Sequence, residues 1–123
     1  MIRIFIVEKA ALNSALLNLV LESEANIEVV GMASRLDDKV LAQIKQADVV
    51  LINTALVAED ASALVRAVST GAPGVRILVT GLADSERESR SYLEAGAAGY
   101  VVAGAPVIEL LNAIRAVASP TAA

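Results

Sequence analysis

Cysteine, histidine and tryptophan are all absent from the 123 residues. The missing thiols exclude disulfides, thiolate metal sites and cysteine nucleophiles. The missing imidazoles exclude histidine metal ligands and the commonest general base. Aromatic residues make up only 2% of the chain, so a core must be built from Ala, Val, Leu and Ile. Basic side chains are outnumbered 10 to 14, for a net charge of −4, which argues against a bare nucleic-acid-binding domain. Long apolar runs are lacking too. The longest uncharged stretch, Ala95 to Ile108, contains three glycines and a proline. It falls short of the roughly 20 residues that a membrane span needs. The run Ile2 to Val7 is interrupted by Arg3 and ends at Glu8-Lys9, too short for the core of a signal peptide. The expectation is a soluble, cytoplasmic chain that does not engage a membrane.

What is present points to a packed core. Hydrophobic residues reach 56% and charged ones 20%, with a mean hydropathy of +0.63. That content is too apolar for disorder, and the length suits one domain. We expect the domain over residues 1–118, with 119–123 a tail or the start of a linker. Short β-branched runs alternate with longer helical ones. Strands are expected at Ile2 to Val7, Ile27 to Met32, Asp48 to Ile52, Val75 to Val79 and Tyr100 to Val102. The fourth follows the turn signal Gly71-Ala72-Pro73-Gly74, and the fifth follows Gly96-Ala97-Ala98-Gly99. Helices are expected near residues 10–23, 36–46, 59–70, 84–95 and 106–118. Because βα crossovers are right-handed, such units form an α/β, doubly wound parallel sheet with helices on both faces.

Two helices carry further information. The last places Val107, Leu110, Leu111, Ile114 and Val117 on one stripe expected to be buried. On the first, Leu17, Val20 and Leu21 share one arc, while Leu12, Leu16 and Leu19 share an adjacent one. Together they are wider than one sheet face would bury. Either this helix is wedged deeply between the sheet and its neighbours, or the surplus leucines Leu12, Leu16 and Leu19 meet a second subunit in a homodimer. The Ala105-Pro106 bond is open to either isomer.

In open α/β sheets the working crevice lies at the carboxyl ends of the strands. Glu8 and Lys9 follow the first strand, Asn53 and Thr54 the third, Thr80 and Gly81 the fourth, and Ala103 and Gly104 the fifth. Glu8-Lys9-Ala10-Ala11 is no glycine-rich loop, so nucleotides lack their cradle and no cofactor is expected. Magnesium favours oxygen ligands that commonly include carboxylates, and a lone Glu8 beside the cation Lys9 argues against a metal. Without histidine, no hydroxyl belongs to a nucleophilic triad. A lysine-activated hydroxyl, Lys9 with Thr80, is formally open but weakly supported.

At these residues the chain resembles the receiver domain of two-component response regulators, in particular those with a LuxR-type helix-turn-helix output. The resemblance runs from Met1 to about Val117. It is carried by Ile2-Arg3-Ile4-Phe5-Ile6-Val7, Asn26-Ile27-Glu28-Val29-Val30-Gly31, Asp48-Val49-Val50-Leu51-Ile52, Ala72-Pro73-Gly74-Val75-Arg76-Ile77-Leu78-Val79-Thr80 and Glu94-Ala95-Gly96-Ala97-Ala98-Gly99-Tyr100. It implies the flavodoxin-like (βα)5 fold with strand order 2-1-3-4-5. Where the family has an acidic pair for magnesium, this chain reads Glu8-Lys9. Asn53 stands at the phosphoacceptor aspartate and Ala103 at the lysine, while Thr80 matches the hydroxyl residue and Tyr100 the aromatic switch. Tyr100 reads equally well as a half-buried residue on an edge strand.

An amide has no anionic oxygen to attack phosphorus, so Asn53 cannot form the acyl phosphate. Phosphoryl transfer depends on positioning and charge stabilisation, which the changes at Lys9 and Ala103 also remove. Three coordinated losses fit a natural pseudo-receiver better than an engineered single change. Two readings of Lys9 stand: its ammonium replaces the metal beside Glu8 and Asn53, or it snorkels to solvent. The leading expectation is therefore a phosphorylation-independent regulatory domain rather than an enzyme, acting through dimerisation or a protein partner. DNA contact would come only through an output domain outside this chain. The alternatives are a sensor holding a small ligand in the emptied crevice and a conventional two-component phospho-switch.

Overall fold

The computed structural model describes residues 1–8, 11–53, 61–81, 86–102 and 105–118, with the side chains of 11–16 left out of the description. The chain alternates strand and helix throughout: β1 (Ile2–Val7), α1 (Ala11–Glu22), β2 (Ile27–Ala33), α2 (Asp38–Ile44), β3 (Val49–Asn53), α3 (Ala61–Gly71), β4 (Arg76–Gly81), α4 (Glu86–Ala95), β5 (Gly99–Val102) and α5 (Val107–Ala118). The strands form one sheet in the order β2-β1-β3-β4-β5, every pairing parallel. The expected doubly wound fold and strand order are thus both found.

Strand periodicity divides the core into two layers. Phe5, Val7, Val50, Ile52, Ile77 and Val79 project to one face, where they meet Ile44 of α2, Leu64, Val65 and Val68 of α3, and Tyr92 and Ala95 of α4. Ile4, Ile6, Val49, Leu51 and Leu78 project to the other, against Leu21 of α1 and Leu111 and Ile114 of α5. Central strand β3 is buried on both sides, which explains its unbroken apolar run. A salt bridge of 2.8 Å from Arg115 to Glu24 ties α5 to the turn that follows α1.

Several element ends differ from expectation for local reasons. The Asp37 side chain caps α2 by accepting the Val40 N–H at 2.8 Å, so that helix starts at Asp38 rather than near residue 36. The Val75 N–H closes a turn onto the Ala72 carbonyl, which delays β4 to Arg76. At the other end of the ladder Asn53 pairs with Thr80, carrying β3 and β4 past Ile52 and Val79. The β1–β2 register slips between Ile4 and Phe5, leaving Val30 as the extra residue of a bulge. Gly31 follows it, and the Phe5 ring occupies the space a side chain there would need. Every peptide bond among the described residues is trans, Ala105–Pro106 included.

The two informative helices behave unequally. In α5, Leu111 and Ile114 are buried and Leu110 and Val117 half-buried, whereas Val107 is 49% exposed. Val107 is thus excluded from the expected stripe, because it lies in the first helical turn, ahead of the residues that pack on the sheet. In α1, Leu21 is sealed and Leu17 and Val20 are half-buried, while Leu19 is 71% exposed. The Leu12 and Leu16 side chains lie outside the described residues.

Candidate functional site

Three of the expected crevice residues come from adjacent strands and meet at the carboxyl edge of the sheet. Glu8 directly follows β1, and its N–H continues the ladder by donating to the Ala33 carbonyl at 2.8 Å. Val7 pairs with Ile52, which brings Glu8 level with Asn53 at the end of β3. Asn53 pairs in turn with Thr80 of β4. The outcome is a direct contact: Asn53 Nδ2 donates to Glu8 Oε1 at 2.7 Å. Glu8 is only 3% exposed, the one buried charged residue among the described residues. Its carboxyl group takes up that hydrogen bond, as a buried polar group needs a partner.

The side chains that this group presents are a carboxyl group, an amide and a hydroxyl. Asn53 presents an amide, whose nitrogen is committed to donation toward Glu8. Thr80 is half-buried beside it. Lys9 and Ala103, the other two expected members, lie outside the described residues.

Tyr100 is placed differently. It is half-buried on edge strand β5, and its ring stacks on that of Tyr92 from α4, with centroids 5.8 Å apart and planes inclined by 7°. Tyr92 is 7% exposed, and its hydroxyl reaches Glu88 Oε1 at 3.4 Å. Sequence reasoning missed Tyr92. Its only signal was that the chain holds two tyrosines, eight positions apart, and such spacing says nothing about contact between a helix and a strand. A shallow cleft of about 320 Å³ lies at the opposite, amino end of the sheet, between Lys45, Ala47 and the Gly71–Val75 turn. None of the expected site residues lines it.

No known family profile matches the chain, and no curated protein does. Solved structures do. The response regulator ChrA of a heme-sensing two-component system is 29% identical, with a TM-score of 0.72, over 95% of this chain and 56% of its own. The chain therefore spans little more than half the length of that regulator. The signal receiver domain of the response regulator NarL from Mycobacterium tuberculosis is 23% identical, with a TM-score of 0.81, covering 98% of each chain. A LuxR-family two-component response regulator from Aurantimonas sp. SI85-9A1 is 22% identical, with a TM-score of 0.84, over 96% of this chain and 85% of its own. The fold is that of response regulator receiver domains, and ChrA and the Aurantimonas protein are response regulators of two-component systems.

Proposed function

We propose that this chain is a receiver-like regulatory domain that works without accepting a phosphoryl group, its state set by self-association or by a protein partner. The observation that carries the proposal is the 2.7 Å hydrogen bond from the Asn53 amide to the buried Glu8 carboxylate. Where a phospho-switch requires an anionic oxygen and a metal, this crevice has a neutral amide satisfied by the one buried acid described. No catalytic role is assigned to it.

Similarity to a LuxR-family regulator supports a transcriptional output, exerted through a DNA-binding domain outside these residues, and a cytoplasmic setting. Self-association would use α1, where Leu19 stands 71% exposed. Incubation with acetyl phosphate and magnesium followed by intact-mass measurement tests the central point. The expected mass is unchanged, and an added phosphoryl group would overturn the proposal. Light scattering tests the second: a dimer is expected, weakened by Leu19→Glu, and a strict monomer at high concentration removes the role of α1.

A further inference from the structure

The sheet has two outer strands, β2 and β5, and they are finished differently. An outer strand offers a row of backbone donors and acceptors to any passing strand, and proteins guard it by shortness, lysine, proline or a bulge. β5 is short, with four residues that are all half-buried. β2 runs for seven, the longest of the five strands, and its sequence Ile-Glu-Val-Val-Gly-Met-Ala holds neither lysine nor proline. Its guard is the bulge at Val30, after which Gly31, Met32 and Ala33 regain regular pairing with Phe5, Ile6 and Val7. Two apolar side chains are displayed along this edge, Val30 at 39% exposure and Met32 at 44%.

Opposite charges mark the two ends of β2. Glu28 stands near its start and Arg35 two residues past its end; both are exposed, and neither joins an ion pair among the described residues. Arg3, the β1 neighbour of Glu28, is engaged with Asp48, and Asp37, near Arg35, is spent on capping α2. Two copies of one strand related by a two-fold axis normal to the sheet necessarily pair antiparallel. That arrangement sets the Glu28 end of each copy against the Arg35 end of the other, so unlike charges meet at both ends. A parallel copy would set Glu28 beside Glu28 instead. The midpoint between Glu28 and Arg35 falls at Gly31 and Met32, in the regular part of the edge.

We infer that two copies of this chain associate through β2, edge to edge and antiparallel, with the Glu28 and Arg35 ends crossed and Met32 near the axis. On one face of β2 lies α1, whose Leu17 and Leu21 pack in the layer that holds Ile27 and Val29. An axis normal to the sheet keeps both copies of α1 on the same side of the joined sheet, flanking the seam. The inference rests on the self-association reading proposed above and names the seam: β2 supplies it, with α1 alongside.

Sedimentation equilibrium on the full chain tests the seam, and the parent is expected to dimerise. Glu28→Arg and Arg35→Glu each set like charges together at both ends, and each is expected to raise the dimer Kd about tenfold. An equal mixture of the two variants brings unlike charges together again at both ends, so it is expected to dimerise as well as the parent. Met32→Lys sets two ammonium groups near the axis and is expected to weaken the dimer too. A parent dimer that ignores both charge reversals, or a mixture that dimerises no better than either variant alone, overturns the inference while leaving self-association through another face standing. So does a dimer untouched by Met32→Lys. A parent that stays monomeric at high concentration removes the seam and the self-association reading together, so the two failures are distinguishable. Both charge reversals fall on exposed side chains, and they decide the matter even should Met32→Lys fail to fold.

Discussion

The amide of Asn53 reaches across 45 residues of chain to donate to Glu8 at 2.7 Å, and it does so in a part-buried setting. That contact sets an amide donor against a buried carboxyl group at the carboxyl edge of the sheet. Asn53→Asp would set two carboxylates against each other at the same spot. Coulomb repulsion at short range, together with the lost charge-assisted hydrogen bond, is expected to cost about 2–4 kcal/mol. Urea unfolding at neutral pH measures it. Millimolar magnesium should restore part of the loss in the variant and do little for the parent, since paired carboxylates suit that ion. A variant as stable as the parent without magnesium would show that the contact carries no weight.

At the other end of the sheet, Asp48 gives a pH-dependent prediction. Its carboxylate is held below the ordinary value of 3.8, first because the Arg3 backbone N–H donates to it; partial burial opposes this, and the Arg3 guanidinium adds to it. A depressed carboxyl contributes stability above its unfolded value and loses it as the pH falls through the folded one. The pair is substantially exposed, 49% for the Arg3 side chain and 41% for Asp48, so screening keeps the contribution below about 1 kcal/mol. Asp48→Asn should therefore be slightly less stable than the parent at pH 7. The two stability curves should converge as the pH drops below 3.8. Curves that stay parallel down to pH 2 would contradict this account.

Asn18 on α1 has its Oδ1 sealed from solvent with no hydrogen-bond partner among the described residues. An unsatisfied buried acceptor is a standing cost, so Asn18→Leu is expected to raise stability by about 1–2 kcal/mol. For a domain of this size that is about 3–6 °C in Tm. Differential scanning calorimetry reads the change, and a lower Tm would mean that the amide does something the apolar side chain cannot.

Two glycines offer a matched contrast. Gly96, just after α4, has φ of 125°, and a Cβ there would run into Ser69 of α3. Gly96→Ala should cost about 1–3 kcal/mol from backbone strain alone. Gly74 has nothing within 4 Å of the position its Cβ would take and no positive φ. Gly74→Ala should stay within about 0.5 kcal/mol of the parent. Equal effects at the two sites, read from denaturant midpoints, would refute the argument from φ and crowding.

Much of the architecture was legible because the strands are β-branched runs separated by glycine turns. Val49 to Ile52, buried on both faces, could hardly have been anything but a central strand. Errors fell at element ends, where one side chain or turn decides: Asp37 at the cap of α2, and Val75 folded back onto Ala72 before β4. The one misplaced core residue, Val107, obeyed the helical period and yet is exposed, because periodicity says which face a residue shares and not how far along the helix the sheet extends.

By itself the sequence determined the composition of the crevice: an amide at Asn53, a hydroxyl at Thr80, a single acid at Glu8, and no imidazole or thiol anywhere. It also set the alternation that folds into a five-stranded parallel sheet. Tertiary structure alone decided that Asn53 bonds to Glu8, and that Tyr100 lies against Tyr92. The reason is geometric. Both contacts depend on the order and register of neighbouring strands and on where a helix crosses them, which no local pattern of residue types encodes.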